Sequence, residues 1–124
     1  MNKSQQSGFT LIELVMVIVI LGVLAAVALP KFVTVDTEAK AAALNGVAGG
    51  LSSASAINYA SRKANSTKGN AVANCTDVAT SLQGGLPSGY TITTLAVGVD
   101  VTLACTLTQT NGGATTTFTA TGIL

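Results

Sequence analysis

Few residues in this 124-residue sequence are able to do chemistry, and one of them sits where a charge is costly. Glu13 lies inside the apolar run from Phe9 to Leu29. A charged side chain at the centre of a membrane helix costs roughly 2.5 to 3.5 kcal/mol, somewhat less near an end, so this carboxylate requires a partner. A cut between Gly8 and Phe9 would supply one, because the freed α-amino group is protonated near neutral pH. Phe9 and Glu13 are four residues apart and would share a helix face. The amine of a neighbouring copy would serve equally well and would set the axial stagger between two helices. Such a buried pair is a register device rather than a source of stability.

The remaining reactive residues are sparse. The sequence has no His, two Cys and five acidic residues. That leaves few means of building a hydrolytic centre or a nitrogen-and-sulfur metal site, so neither an enzyme nor a cofactor is expected. Asp77 and Asp100 are the only carboxylates after Glu38. A calcium cage of about six to eight oxygens would have to draw mostly on backbone carbonyls. Cys75 and Cys105, in a chain with an export-like start, read as a disulfide formed in an oxidising compartment, with a buried thiol pair as the alternative. Arg62, Lys63 and Lys68 make a small basic cluster. No aromatic residues interleave with it, and the net charge of +1 gives no long-range field, so a solvated helix end is preferred to a nucleic-acid contact.

These residues are carried by two contrasting halves. The chain is 48% hydrophobic and only 9% charged, and the apolar residues crowd into positions 9 to 29. Residues 1 to 8 form a polar leader with a single Lys. The twenty-one residues that follow would cover roughly 30 Å as a helix, enough to cross a bilayer. A secretory signal ending at Ala26-Val27-Ala28, an ordinary anchor and a buried helix of a soluble fold are the competing readings. The run exceeds the usual signal core of about 7 to 15 residues, and a disposable signal gains nothing from Glu13. The expected organisation is therefore a leader over 1–8, a transmembrane helix over 9–29, an amphipathic helix over 30–65 and a globular sheet region over 66–124.

Pro30 lacks an N–H and crowds the Ala26 carbonyl, so a kink or local opening is expected there, with the helix restarting near Thr34. Leu44, Val47, Leu51, Ala54 and Ile57 recur at intervals of three and four and predict one buried stripe. Asp36 and Glu38 near the start, and Arg62 and Lys63 near the end, suit the helix dipole. Gly46, Gly49 and Gly50 each cost up to ~1 kcal/mol in a helix interior, so packing must hold this segment. Farther on, every odd position from Leu95 to Leu107 is apolar, which predicts strands with one buried face, broken near Gly98 to Asp100. Asn111-Gly112-Gly113 marks a hairpin turn, and Thr115 to Thr121 a return strand with Phe118 and Ala120 inward. A helix with one apolar stripe and an antiparallel sheet with one apolar face bury each other, giving an α+β fold.

The stretch Gly8-Phe9-Thr10-Leu11-Ile12-Glu13-Leu14 closely resembles the processing signal of type IV prepilins and pseudopilins. The resemblance continues through Gly22 and Pro30 to about Ala64 and is architectural beyond. It implies that a dedicated inner-membrane peptidase cuts after Gly8 and methylates the new Phe9 amine. It also implies that Glu13, Gly22 and Pro30 act in assembly, the last two where the helix loosens, and that the fold is a pilin-like roll. In such pilins a disulfide often bounds a surface loop near the C-terminus; here nineteen residues follow Cys105, a departure from that pattern. The function implied is a structural subunit of a type IV pilus-like filament for adhesion or motility, similar to type IVa and mannose-sensitive haemagglutinin pilins. A type II secretion pseudopilin and a minor pilin that binds DNA or a surface ligand are the alternatives. Its partners would be other copies of itself in a helical homopolymer, the peptidase and methyltransferase, the inner-membrane assembly machinery, and lipid before assembly. The precursor would reside as a single-pass protein in a bacterial inner membrane, and the product in an extracellular or periplasmic filament.

Overall fold

The computed structural model describes residues 8–124, so most of the expected leader, residues 1–7, lies outside the described residues. The element order is α1 (Leu11–Ala64), a 3₁₀ helix (Cys75–Ser81), β1 (Tyr90–Ile92), β2 (Thr102–Gln109) and β3 (Thr115–Thr121). The described residues divide into two units, one ending at Glu38 and the other Ala39–Leu124.

In the first unit, α1 exposes its apolar side chains all round, including Leu11, Ile18, Leu24 and Val33. The helix is long and apolar enough to cross a membrane. It begins at Leu11 rather than at Phe9. The expected opening at Pro30 is absent: α1 runs through the proline as one element. A single missing N–H removes one bond from the ladder, and the Thr34 hydroxyl donates to the Pro30 carbonyl at 2.9 Å, tying the next turn to it.

In the second unit, the last part of α1 packs on an antiparallel sheet of order β1-β2-β3. The buried stripe is Leu44, Ala48, Leu51, Ser55 and Asn58, so the expected stripe is rotated. Val47 and Ala54 are half-buried, and Ile57 is 68% exposed. Two polar residues win the inner face because the sheet and a loop need them. The Ser52 and Ser55 hydroxyls accept the Thr119 and Thr121 N–H groups, each at 3.0 Å, which covers the outer edge of β3. Asn58 takes both the N–H of Asn70, at 2.7 Å, and its carbonyl, at 2.8 Å. The residue beside that contact is Gly69, at φ +68°, where a Cβ would run into the Asn58 side chain. On α1 the small apolar residue in the core is Ala48, not a glycine. A Cβ at Gly46 or Gly49 would meet nothing within 4 Å, so neither glycine is placed for close approach by its own sheet.

The hairpin follows its sequence signals. β2 pairs with β3 from Thr102↔Thr121 to Thr108↔Thr115, and Phe118 and Ala120 are buried. β1 pairs with the end of β2, Tyr90↔Gln109 to Ile92↔Leu107. The expected odd-numbered apolar face holds only in part. Val97, Cys105 and Leu107 are buried and Leu103 half-buried, but Leu95, Val99 and Val101 are about half exposed. The cause is a turn closed by Val101 N–H to Gly98 O at 3.1 Å, with Asp100 at φ +60°, which breaks the alternation. Residues 95–99 form single bridges, Asn74↔Ala96 and Val99↔Gly122, rather than a strand. Gly122 passes the Gly98 carbonyl so closely that a Cβ there would collide with it.

Candidate functional site

Gly8, Phe9 and Thr10, where processing is expected, lie outside any helix and are exposed. Thr10 stops the helix from extending back to them. Its N–H donates to Glu13 Oε2 at 3.1 Å, and its hydroxyl accepts the Glu13 N–H at 3.3 Å. This is a reciprocal capping box, in which two amides left open by the first turn find side-chain acceptors. Phe9 and Glu13 therefore do not share a helix face in this state. The charge argument that marks Glu13 as needing a partner does not reveal Thr10, although Thr-x-x-Glu before an apolar run is a legible capping signal. Gly22 lies within the exposed apolar part of α1, with open space where a Cβ would be, and Pro30 lies within the same helix.

Cys75 and Cys105 are bonded, with Cα atoms 5.8 Å apart and both residues fully buried. The bond ties the start of the 3₁₀ helix to the middle of β2. Asn74 sets that start: its side chain accepts from the Thr76 N–H at 3.2 Å and from the Leu95 N–H at 3.2 Å. Asp77 answers from inside the turn, accepting the Ala73 and Asn74 N–H groups at 3.0 and 2.8 Å. This carboxylate is a structural cap.

Asp100 belongs to another arrangement. Lys63 Nζ reaches both of its oxygens, at 2.7 and 2.9 Å, and the Tyr59 hydroxyl donates to it at 3.0 Å. The Lys63 bond, then the Tyr59 bond, hold the Asp100 carboxyl below the usual carboxylate range, and the Asp100 bond raises the Lys63 amine. The last turn of α1 thus holds the exposed turn that carries Val99 and Val101. Arg62 donates to the carbonyls of Lys68 and Gly69 at 3.3 and 3.4 Å. Two members of the expected basic cluster are therefore engaged in holding loops. Lys68 instead lines an open groove of about 530 Å³ with Ser53, Ile57, Asn70, Thr80 and Gln83.

Residues 3–29 match the prokaryotic N-terminal methylation motif. The chain is 37% identical over 113 residues to the type IV narrow pilus major component PilA5 of Thermus thermophilus, covering 89% of this chain and 91% of that protein. The chain belongs to the type IV pilin family. A second relative of this pilin is the type II secretion system core protein G of Pseudomonas aeruginosa, 48% identical over 46 residues. That likeness covers 37% of this pilin and 32% of the relative. No solved structure matches. The α+β architecture, with a long apolar helix and a small antiparallel sheet, is that expected of a pilin.

Proposed function

We propose that this pilin is a structural, repeating subunit of a type IV pilus-like filament serving adhesion or motility. The observation that carries this reading is the near full-length similarity to a pilus major component, which spans both the apolar helix and the sheet-bearing unit. The precursor is held in a bacterial inner membrane by α1 as a single pass. A prepilin peptidase cuts between Gly8 and Phe9, and the Phe9 amine is methylated; the methylation motif over 3–29 supports this step. Glu13 then pairs with that amine or with its counterpart on the next copy, and Gly22 and Pro30 are the positions where the helix loosens as copies stack. The expected division into leader 1–8, assembly helix 9–29, connecting helix 30–65 and globular region 66–124 belongs to the same reading.

The chain performs no reaction of its own in this scheme. Cutting, methylation and polymerisation belong to the peptidase and the inner-membrane assembly machinery, and the subunit contributes interfaces. The second reading, a secretion pseudopilin in a periplasmic filament, draws on the 48% identity to core protein G, but that identity is confined to 46 residues. Deleting the chain and restoring it separates the two. Loss of surface fibres in electron micrographs, with protein secretion intact, supports the pilus; unchanged fibres with secretion lost would contradict it.

A further inference from the structure

The outward face of the sheet carries one residue type almost without exception. The register aligns Thr91, Thr108 and Thr115 in a rung across all three strands. Thr93, whose N–H donates to the Thr106 carbonyl at 3.0 Å, extends β1 so that Thr93, Thr106 and Thr117 make a second rung. Two further pairs complete the face, Ala104 with Thr119 and Thr102 with Thr121. Nine of these ten positions are therefore Thr, and none is charged or aromatic.

These hydroxyls are not consumed by the fold. The Thr102 and Thr121 hydroxyls bond each other at 2.8 Å. Among the described residues, the other seven make no side-chain hydrogen bond within the chain, whereas hydroxyls elsewhere do, as at Ser52, Ser55, Thr76 and Thr80. Each offers one donor and two acceptor positions. Strand geometry spaces them ~4.8 Å across and ~6.7 Å along the sheet. Their β-branched side chains are stiff at χ1, so little freedom is lost on contact.

The chemistry of the face selects its partner. With no charged group present, an ionic partner finds no counter-charge, and its own charges would be desolvated without return. With no aromatic platform, the bases of a nucleic acid find nothing to stack on. What fits is an uncharged partner that repeats its hydroxyl groups in an ordered array. We propose that the threonine face of the sheet is a docking surface for an ordered neutral polysaccharide. Single contacts are weak, and repetition of the face supplies avidity; that repetition is the one point at which the proposal rests on the filament reading.

The test places the full chain at high density in lipid vesicles, so repetition is present whether or not filaments form. Vesicles are sedimented with microcrystalline cellulose. Retention is expected, displaced by a soluble neutral β-glucan and not by alginate. Thr106→Val with Thr117→Val keeps the β-branched shape and removes two hydroxyls, and lowers retention by roughly tenfold. Thr117→Ser keeps the hydroxyl and retains binding, as does Thr94→Val, outside the paired strands. Displacement by alginate, or equal retention of the double Val variant, would overturn the proposal. So would capture in growing ice without retention on cellulose, which would assign the face to ordered water. The competition experiment uses the unaltered chain and stands even if a variant misfolds.

Discussion

Thr10 and Glu13 bond to each other's backbone, through Thr10 N–H to Glu13 Oε2 at 3.1 Å and Glu13 N–H to Thr10 Oγ1 at 3.3 Å. The pair gives a carboxylate in an apolar segment a set of partners before any cut is made. It also keeps Phe9 outside the helix. On the proposed reading, a cut after Gly8 places a cationic amine one residue from Thr10, and Glu13 exchanges a capping bond for an ion pair.

Glu13→Gln separates the two roles, because an amide can still cap and cannot form the ion pair. The variant is expected to enter the membrane in normal amount while sheared-fibre yield falls by on the order of tenfold, the effect of about 1.4 kcal/mol lost per contact. Normal yield would mean that capping alone accounts for the residue. Thr10→Val, by contrast, removes the hydroxyl acceptor and costs about 1 kcal/mol at the helix start, readable as faster amide exchange over residues 11–13.

Asn58→Ala strips the Asn70 backbone of both partners inside the second unit. Leaving buried polar groups open costs about 2 to 3 kcal/mol in total. A lower urea midpoint for the full chain in detergent is the expected reading, and an unchanged midpoint would show that water replaces the amide without loss.

Opening the Cys75–Cys105 bond releases a loop with a sequence separation of 30. The chain-entropy estimate is roughly 3 to 4 kcal/mol, large for so small a core. Cys75→Ala with Cys105→Ala, compared with the native chain with and without reductant, is expected to lower the thermal midpoint, and the reductant should then have no further effect on the variant.

The Lys63–Asp100 pair gives a pH dependence with a defined sign. The Asp100 carboxyl is lowered, so its contribution is complete above the unfolded carboxylate value and is lost as pH falls through the folded one. The Lys63 amine is raised, so its contribution is complete below the unfolded amine value and is lost as pH rises through the folded one. Protection of the amides of residues 98–101, taken relative to their intrinsic exchange rate at each pH, is expected to be greatest between those limits. Both groups are exposed, so the effect is local rather than global. Asp100→Asn should flatten the acid limb; an unchanged profile would locate the titration elsewhere.

The elements that were legible in the sequence are those with strong local signals. Asn111-Gly112-Gly113 fixed the hairpin, and Phe118 and Ala120 face inward as the alternation requires. The two Cys, among the most buried residues in the fold, are bonded. The errors arose where tertiary hydrogen bonds outranked hydropathy. Ser55 and Asn58 displaced Ile57 from the buried stripe because β3 and the 69–70 segment present backbone groups that only polar side chains satisfy. Val99 and Val101 are exposed because the turn at Gly98 and Asp100 ends the alternation that their spacing suggests.

Two features of the site had readable signals that hydropathy alone passes over. Asn74 and Asp77 cap the 3₁₀ helix as Asn-x-x-Asp, and Thr10 and Glu13 cap α1 as Thr-x-x-Glu. The threonine rungs could not be read in advance, because they depend on the register of three strands, and β1 pairs across a long intervening segment. Of the kink or local opening expected at Pro30, the opening is absent: one lost hydrogen bond is too small a defect to end α1 within an otherwise continuous ladder.

The filament reading stands or falls on how the chain begins after export. Mass spectrometry of the N-terminal peptide from membrane and sheared-fibre fractions reads this directly. A peptide starting at methylated Phe9 in both fractions is the expected result; a start at Leu29, with the chain free in solution, would contradict it.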